Sequence, residues 1–125
     1  MTRIVALAFA FAVVSVVAAA TEAGASVAAP PRAITLLHHG RSFDLNVGRS
    51  VSVRLPNARR VWSTPRAAGG GAASIHPVNY VRDPGFVEWR VAATAPGRVT
   101  LTSLGRCDDC PLRVRRFRVT LVVRS

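Results

Sequence analysis

The feature that most constrains the fold is a two-residue alternation of apolar and polar side chains, which recurs through most of the chain. The clearest case lies near the carboxyl end and consists of Phe117, Val119, Leu121 and Val123. Alternation of this period, interrupted by Gly and Pro, is typical of β-strands with one buried face. By contrast, no stretch shows a capped 3.6-residue period of helical length. The sequence therefore predicts an all-β protein.

Seven or eight strands fit between the turn signals, with candidates at 33–37, 42–47, 51–55, 61–63, 75–81, 86–93, 99–104 and 117–123. Residues 66–74 are rich in Gly and are expected to form a loop. Within 86–93, Val87, Trp89 and Val91 share one face, while Glu88 and Arg90 share the other. The strand number and spacing favour a β-sandwich with Trp62 and Trp89 in its core, and a barrel is the main rival.

The first 25 residues differ in composition from the rest. A short basic start precedes an apolar run of 17 residues, and small residues follow. This order is typical of a secretory signal peptide, which we expect to be cleaved after Ala20 or Ala25. A transmembrane anchor is the alternative, but the run is short for a spanning helix and no basic flank follows. We predict a secreted or cell-envelope protein with a flexible leader at 26–32 and one domain at 33–125.

The chain is strongly basic. It carries 17 basic residues, all Arg, against six acidic ones, which gives a net charge of +11. Cleavage of residues 1–25 would remove one Arg and one Glu and leave that charge unchanged. A GC-rich genome accounts for Arg in place of Lys but not for the scarcity of acids. A strongly basic surface attracts polyanions, which outside the cytoplasm are envelope polymers, lipid headgroups or acidic proteins rather than nucleic acid.

Four arginines near the last strand are candidates for an anion-binding stripe: Arg113, Arg115, Arg116 and Arg118. With Phe117 pointing inward, Arg116 and Arg118 are predicted to lie on the solvent face. Arg113 and Arg115 then lie beyond the edge of the core, unless a β-bulge intervenes. The alternative is an ordinary solvated strand whose charges resist aggregation.

Two segments resemble the chagasin-type inhibitors of papain-like cysteine proteases. The first is VGRSVSVRLPNARRVW, residues 47–62. In that family a VGxxVxVxLP strand leads into an Asn-Pro-Thr-Thr-Gly loop and then into a strand with Trp. The second is WRVAATAPGRVTLTSLGR, residues 89–106, which is similar to a family segment with a Pro-Gly turn and a strand reaching an Arg-Pro-Trp loop. The resemblance spans roughly 45–123 and implies an immunoglobulin-like β-sandwich.

The resemblance also implies an inhibitor whose three loops, at one end of the sandwich, enter a protease cleft and block it by shape. The loops correspond here to 57–60, 83–85 and 105–112. The predicted partner-binding residues are Asn57, Ala58, Arg59, Arg60, Asp83, Pro84, Gly85, Arg106, Asp108 and Asp109. The alternative function is a cationic cell-envelope-associated or structural module that binds anionic polymer or lipid through arginine.

The two cysteines, Cys107 and Cys110, lie in the segment GRCDDCP between the last two predicted strands. Because export places them in an oxidising compartment, we expect a disulfide that clasps this connection. Haem attachment would need His directly after the second Cys, where Pro111 stands. A thioredoxin-like dithiol stays open as an alternative, although Asp108 and Asp109 oppose a thiolate.

The sequence offers little support for catalysis or metal binding. A zinc site needs four ligands, and the available histidines are His38, His39 and His76, none at zinc-finger spacing. His38 and His39 are interpreted as a surface pair. The sequence shows no nucleophile elbow and no pair of carboxylates that would share a cleft. We therefore expect a monomeric binding protein, with no enzymatic activity and no cofactor.

Overall fold

A computed structural model describes residues 27–125, so the predicted signal peptide and its two cleavage sites lie outside the described residues. The described chain contains a 3-10 helix at Leu36–His38 and nine strands. These are β1 (Ala33–Ile34), β2 (Ser42–Asn46), β3 (Ser50–Pro56), β4 (Val61–Trp62), β5 (Arg66–Ala68), β6 (Ala72–Val78), β7 (Phe86–Ala95), β8 (Gly97–Arg106) and β9 (Val114–Arg124). Over residues 27–125, no helix is long and apolar enough to cross a membrane.

The strands form two sheets. The smaller has the order β1-β3-β7-β6, and the larger has the order β2-β9-β8-β4, with β5 also pairing with β8. The pairs β1–β3 and β2–β9 are parallel, and the other pairs are antiparallel. The predicted all-β sandwich is confirmed.

The core lies between the two sheets and follows the alternation in the sequence. All four apolar positions of β9 from Phe117 to Val123 are buried, and so are Val51, Val53 and Leu55 of β3. Trp62 and Trp89 are also buried, with 6% and 5% of their surfaces exposed. β4 lies at the edge of its sheet and turns the Trp62 ring into the core.

The Gly-rich stretch at 66–74 was predicted to be a loop, and this prediction is wrong. It contains β5 and the start of β6, and only 69–71 connects them. In this short connection, the Gly71 N–H donates to Arg98 O at 3.1 Å, which brings its backbone close to the start of β8. A Cβ at Gly71 would lie 2.8 Å from Gly97 O, which is closer than side chains allow.

Three other local predictions need correction. The run at 33–37 forms a strand only at Ala33–Ile34 and then enters the 3-10 helix. β2 ends at Asn46, so Val47 is exposed in the turn that Gly48 makes with a φ of 85°. β6 ends at Val78, which leaves Val81 fully exposed.

The interpretation of His38 and His39 as a simple surface pair is incomplete. His38 Nδ1 accepts a hydrogen bond from the Thr35 N–H at 2.9 Å, across the start of the 3-10 helix. His39 Nδ1 accepts one from the Arg118 N–H at 3.0 Å, and so links this segment to β9. Each imidazole therefore satisfies a backbone donor.

Candidate partner-binding site

Three connections meet at one end of the sandwich: β3–β4, β6–β7 and β8–β9. The first two are joined directly by Asn57. Its Nδ2 donates to Asp83 Oδ1 at 3.1 Å, and its backbone N–H donates to Gly85 O at 3.2 Å. One residue therefore ties the β3–β4 connection to the turn at 83–85 by both its side chain and its backbone.

Asp83 also closes its own turn. Its Oδ1 accepts a second hydrogen bond from the Gly85 N–H at 2.8 Å, and Gly85 has a φ of 88°, which favours glycine. The hydrogen bond from Asn57, followed by that from Gly85, lowers the pKa of Asp83 from its ordinary value of 3.8. Both donors stabilise the carboxylate form of Asp83, so the turn keeps these hydrogen bonds at any pH above 3.8.

Arg60 joins the first connection to the third. One guanidinium nitrogen donates to Gly105 O at 3.2 Å, and the other donates to Leu112 O at 2.7 Å. These two carbonyls stand at opposite ends of the 105–112 segment. A planar guanidinium presents its donors in a fixed fork, so Arg60 holds both ends of this segment at once.

The 105–112 segment is itself cross-linked. Cys107 and Cys110 form a disulfide with their Cα atoms 5.4 Å apart, which confirms the predicted clasp and excludes a free dithiol in this structure. The Cys107 N–H donates to Arg113 O at 2.9 Å and so closes the base of the segment. Cys107 is buried, while Asp108 and Asp109 project into solvent.

Two recesses border the β3–β4 connection at this edge. One, of about 430 Å³, lies between the first and third connections and is lined by Ala58, Arg59, Cys107, Asp109 and Cys110. The other, of about 250 Å³, lies on the opposite side of the β3–β4 connection and is lined by Leu36, Pro56, Ala58, Arg59, Arg60, Trp62 and Arg115. A further recess of about 340 Å³ lies beside the 83–85 turn, and its lining includes Asp83, Pro84 and Phe86.

The structure thus brings most of the predicted partner-binding residues to one end of the sandwich. Arg106 is the exception in orientation, because its alternating position on β8 places it on the outer face of the larger sheet. The four predicted anion-binding arginines do not form one stripe. The β8–β9 register is unbroken from Val114 to Val123, so no bulge occurs there. Arg116 and Arg118 lie on the outer face, whereas Arg115 reaches the recess beside Trp62.

A polar cluster behind the second connection was not predicted. Glu88 was expected on the face opposite Trp89, and it does lie there, but it is buried with only 6% of its surface exposed. It accepts hydrogen bonds from the Arg54 side chain and, at 2.9 Å, from the Tyr80 hydroxyl. The hydrogen bond to Glu88 is the main reason that the pKa of Tyr80 is raised.

Aromatic contacts complete this cluster. The Arg54 guanidinium lies 4.9 Å from the centre of the Phe86 ring, and Tyr80 meets the same ring edge-on at 5.6 Å. Arg54 and Glu88 face each other across β3 and β7, which is a register that no local sequence pattern reveals. The cluster supports the second connection from behind.

Within residues 27–125, no group of three or more His, Cys, Asp or Glu side chains comes together in a way that would hold a metal ion. Nδ1 of His38 and Nδ1 of His39 each accept a hydrogen bond from a backbone N–H, and His76 lies on β6 in the smaller sheet. The chemistry offered by the loop end is therefore shape, backbone groups and charge.

Comparison with known proteins supports the fold. No family model matches this sequence, and no curated protein matches it in sequence. Among solved structures, amebosin superposes with a TM-score of 0.55 at 16% identity, over 76% of this chain and 99% of amebosin. The cysteine protease inhibitor EhICP2 from Entamoeba histolytica superposes with a TM-score of 0.59 at 11% identity, over 74% of this chain and 94% of EhICP2. The resemblance seen in the sequence is thus confirmed at the level of the fold.

A third structure, PbICP-C in complex with falcipain-2, aligns at 12% identity over 78% of this chain and 94% of PbICP-C. Its TM-score is 0.49.

Proposed function

We propose that this protein is an exported inhibitor of papain-like cysteine proteases that binds through residues 57–60, 83–85 and 105–112. The observation that carries the proposal is the joining of these three segments into one edge by Asn57 and Arg60. The support from other proteins is a fold similar to that of EhICP2, which is itself a cysteine protease inhibitor.

The proposed mechanism is obstruction by a rigid edge. A loop that is already ordered loses less conformational entropy on binding than a mobile one, so more of its contact energy appears as affinity. Here the disulfide shapes the third segment, Arg60 fixes both its ends, and Asp83 fixes the second turn. The inhibitor occupies the cleft by its shape and offers no peptide bond in the register that cleavage requires.

The edge differs chemically from that of the chagasin-type family. Asn57-Ala58-Arg59-Arg60 stands where the family has Asn-Pro-Thr-Thr-Gly, and a Cys-clasped turn stands where it has Arg-Pro-Trp. In this proposal Arg60 and the disulfide supply the rigidity, and the exposed groups between them make the contacts. The target is therefore a protease whose cleft accepts a basic first loop and an acidic tip at Asp108 and Asp109.

The experiment that tests the proposal is titration of the purified protein against papain at two salt concentrations, with its disulfide intact and after reduction. We expect stoichiometric inhibition that tolerates salt, since shape and backbone contacts dominate, and that weakens on reduction. Absence of inhibition at micromolar concentrations of the protein, with papain and with other papain-like proteases, would overturn the proposal.

Export is a separate part of the proposal and has its own test. The mass of the protein recovered outside the producing cells is expected to correspond to a chain that begins at Thr21 or Ser26. Recovery of the intact chain, beginning at Met1 and held in the cytoplasm, would contradict export without bearing on inhibition.

A further inference from the structure

The outer face of the larger sheet carries an unusual concentration of arginine. The side chains that alternate with the buried positions of β8 and β9, together with one from β5, include six exposed arginines. We call these residues the arginine face: Arg66, Arg98, Arg106, Arg116, Arg118 and Arg124. They lie on the opposite side of the sheet from the core.

Few negative charges balance this face. Asp44 on β2 forms an ion pair with Arg124, with Nε and Oδ1 2.9 Å apart. Among residues 27–125, no other acidic side chain is paired with a member of the arginine face. On the outer face of the smaller sheet, Arg54 is neutralised by Glu88, and Arg90 is exposed. A genome rich in arginine codons accounts for the number of arginines but not for the placement of six of them on one face of one sheet.

Strand register brings like charges close together. Thr102 pairs with Arg66 on one side and with Arg118 on the other, so the three form one row across β5, β8 and β9. Neighbouring strands lie about 4.8 Å apart, which places the Arg66 and Arg118 backbones about 10 Å from each other. Two like charges at this separation repel by about 0.4 kcal/mol in water. An anion bound between the two arginines would attract both guanidinium groups and so offset their repulsion.

A groove on the same face provides a place for such an anion. It has a volume of about 310 Å³ and is lined by Ser63, Arg66, Thr102, Leu104 and Arg116. Arginine side chains from β5 and β9 stand on its two sides. Guanidinium groups match the paired oxygens of sulfate, phosphate and carboxylate groups. Thr102 adds a hydroxyl that both donates and accepts hydrogen bonds.

We propose that the arginine face binds an anionic polysaccharide, with one acidic group of the chain seated between Arg66 and Arg116. The hydroxyls that lie between the arginines favour a sugar polymer over other polyanions. Thr100, Thr102 and Thr120 share this face, and their hydroxyls suit the hydroxyls of sugar rings. The proposal does not rest on the proposed protease inhibition, and Arg66 and Arg116 lie outside the three segments proposed to bind a protease.

Two other polyanions fit the face less well. Single-stranded nucleic acid is normally held by bases stacked on aromatic side chains, and β5, β8 and β9 present no aromatic residue on this face. A bilayer would meet the face only through the tips of its arginines. It would leave the groove and the row of hydroxyls unused.

The test uses heparin as the probe and a matched pair of triple variants. One variant combines R66Q, R116Q and R118Q. The control combines R32Q, R49Q and R90Q, which removes three exposed arginines outside the arginine face. Because each lost contact removes a released counterion, we expect the first variant to bind heparin at least about tenfold more weakly at 0.15 M salt and the control to change less than about threefold.

Equal weakening in both variants would overturn the proposal, because it would show attraction to net charge alone. An NMR titration of the unaltered protein gives a second readout. Heparin is expected to shift the amide signals of Thr102 and Arg118, and shifts confined to the loop end would also overturn it. Binding to vesicles of anionic lipid or to polyphosphate, without binding to heparin, would also overturn the proposal of a polysaccharide ligand. Papain inhibition by the first variant is expected to persist, so failure of either proposal is distinguishable from failure of the other.

Discussion

Arg60 connects parts of the chain that are distant in sequence. Its guanidinium reaches Gly105 O and Leu112 O, which lie 45 and 52 residues away. A charged donor that satisfies two carbonyls stabilises both its own loop and the one it holds. Arg60 is therefore the residue on which the geometry of the proposed inhibitory edge most depends.

The substitution Arg60→Lys tests this dependence while it keeps the charge. Lysine cannot reproduce the forked pair of contacts, so a loss of about 1.4 kcal/mol, equivalent to about a tenfold weaker inhibition, is expected. Inhibition constants against papain would measure the loss. Arg49→Lys, a change in the turn between β2 and β3, is the matched control and should leave inhibition unchanged. A similar loss in both variants would contradict the role of Arg60.

Asp83 makes a pH-dependent contribution to the same edge. Because hydrogen bonds from Asn57 and then Gly85 lower its pKa in the folded state, its stabilising effect is fully present above the ordinary value of 3.8. That effect is lost as the pH falls below 3.8 and through the lowered pKa. The Gly85 amide signal, followed by NMR, is expected to hold its position down to about pH 4 and to move below it. The variant D83N should lack this transition, and a transition that persists in D83N would refute the assignment.

At the scale of elements, three contacts hold the β8–β9 connection in addition to the hydrogen bonds from Arg60. The disulfide closes the turn, the Cys107 N–H bonds to Arg113 O, and Gly105 packs against Trp62. The last contact is close: a Cβ at Gly105 would lie 2.7 Å from the Trp62 ring. The Trp62 ring therefore packs directly on the Gly105 backbone. This contact fixes the direction in which the 105–112 segment leaves β8.

Replacing both Cys107 and Cys110 with Ser separates loop shape from fold stability. For a four-residue ring, the chain-entropy relation gives a loss of only about 1.9 kcal/mol in the free energy of unfolding. Urea denaturation is expected to show a loss of this size or less, while amide exchange in 107–112 accelerates and papain inhibition weakens. Global unfolding of the double variant would show that the disulfide supports the whole domain instead.

Gly105→Ala tests the packing of Gly105 against the Trp62 ring, which also supports the β8–β9 connection. The added methyl group overlaps the Trp62 ring, so the strand end or the ring must move, at a cost of about 1–3 kcal/mol. Thermal or urea unfolding measures this cost. Gly70→Ala is the matched control, since a Cβ there meets open space and the φ of Gly70 is not positive. A loss for Gly105→Ala no larger than that for Gly70→Ala would contradict the close packing.

At the scale of the whole molecule, the distribution of charge divides the surface into regions. The net charge is +11, and the arginine face holds a large share of it with one acidic partner. The loop end also contains acidic groups at Asp83, Asp108 and Asp109. A face assembled from like charges reduces the stability of the unbound protein. Such a cost is commonly found where a surface serves binding.

The same triple variant used for heparin therefore carries a prediction about stability. Removal of the charges at Arg66, Arg116 and Arg118 should raise the free energy of unfolding by about 0.5–1 kcal/mol at low salt, because cross-strand repulsion is relieved. Salt screens this repulsion, so the gain should shrink as ionic strength rises. Urea denaturation at two salt concentrations measures both effects. A variant less stable than the original protein at low salt would contradict the account.

Much of the fold was predictable because its cause is local. Alternation at Phe117–Val123 and at Val51–Leu55 determines which side of each strand must be buried, and the order of such strands indicates a sandwich. The disulfide was predicted from the expected export with a dithiol left open, and it links cysteines only three residues apart. The β5–β6 turn was not predictable from the sequence, because it depends on the close approach of Gly71 to the backbone of β8.

What the sequence determined by itself is therefore the class of fold, the faces of the strands and the clasp in the last loop. Only the tertiary structure decided which loops are in contact and which arginines share one face of a sheet. Arg60 reaches carbonyls in a distant segment, Glu88 is buried because Arg54 and Tyr80 meet it from other elements, and Arg66 joins Arg118 through strand register. The physical reason is that alternation gives each strand a face but leaves open its neighbours, and neighbours determine hydrogen bonds and local charge.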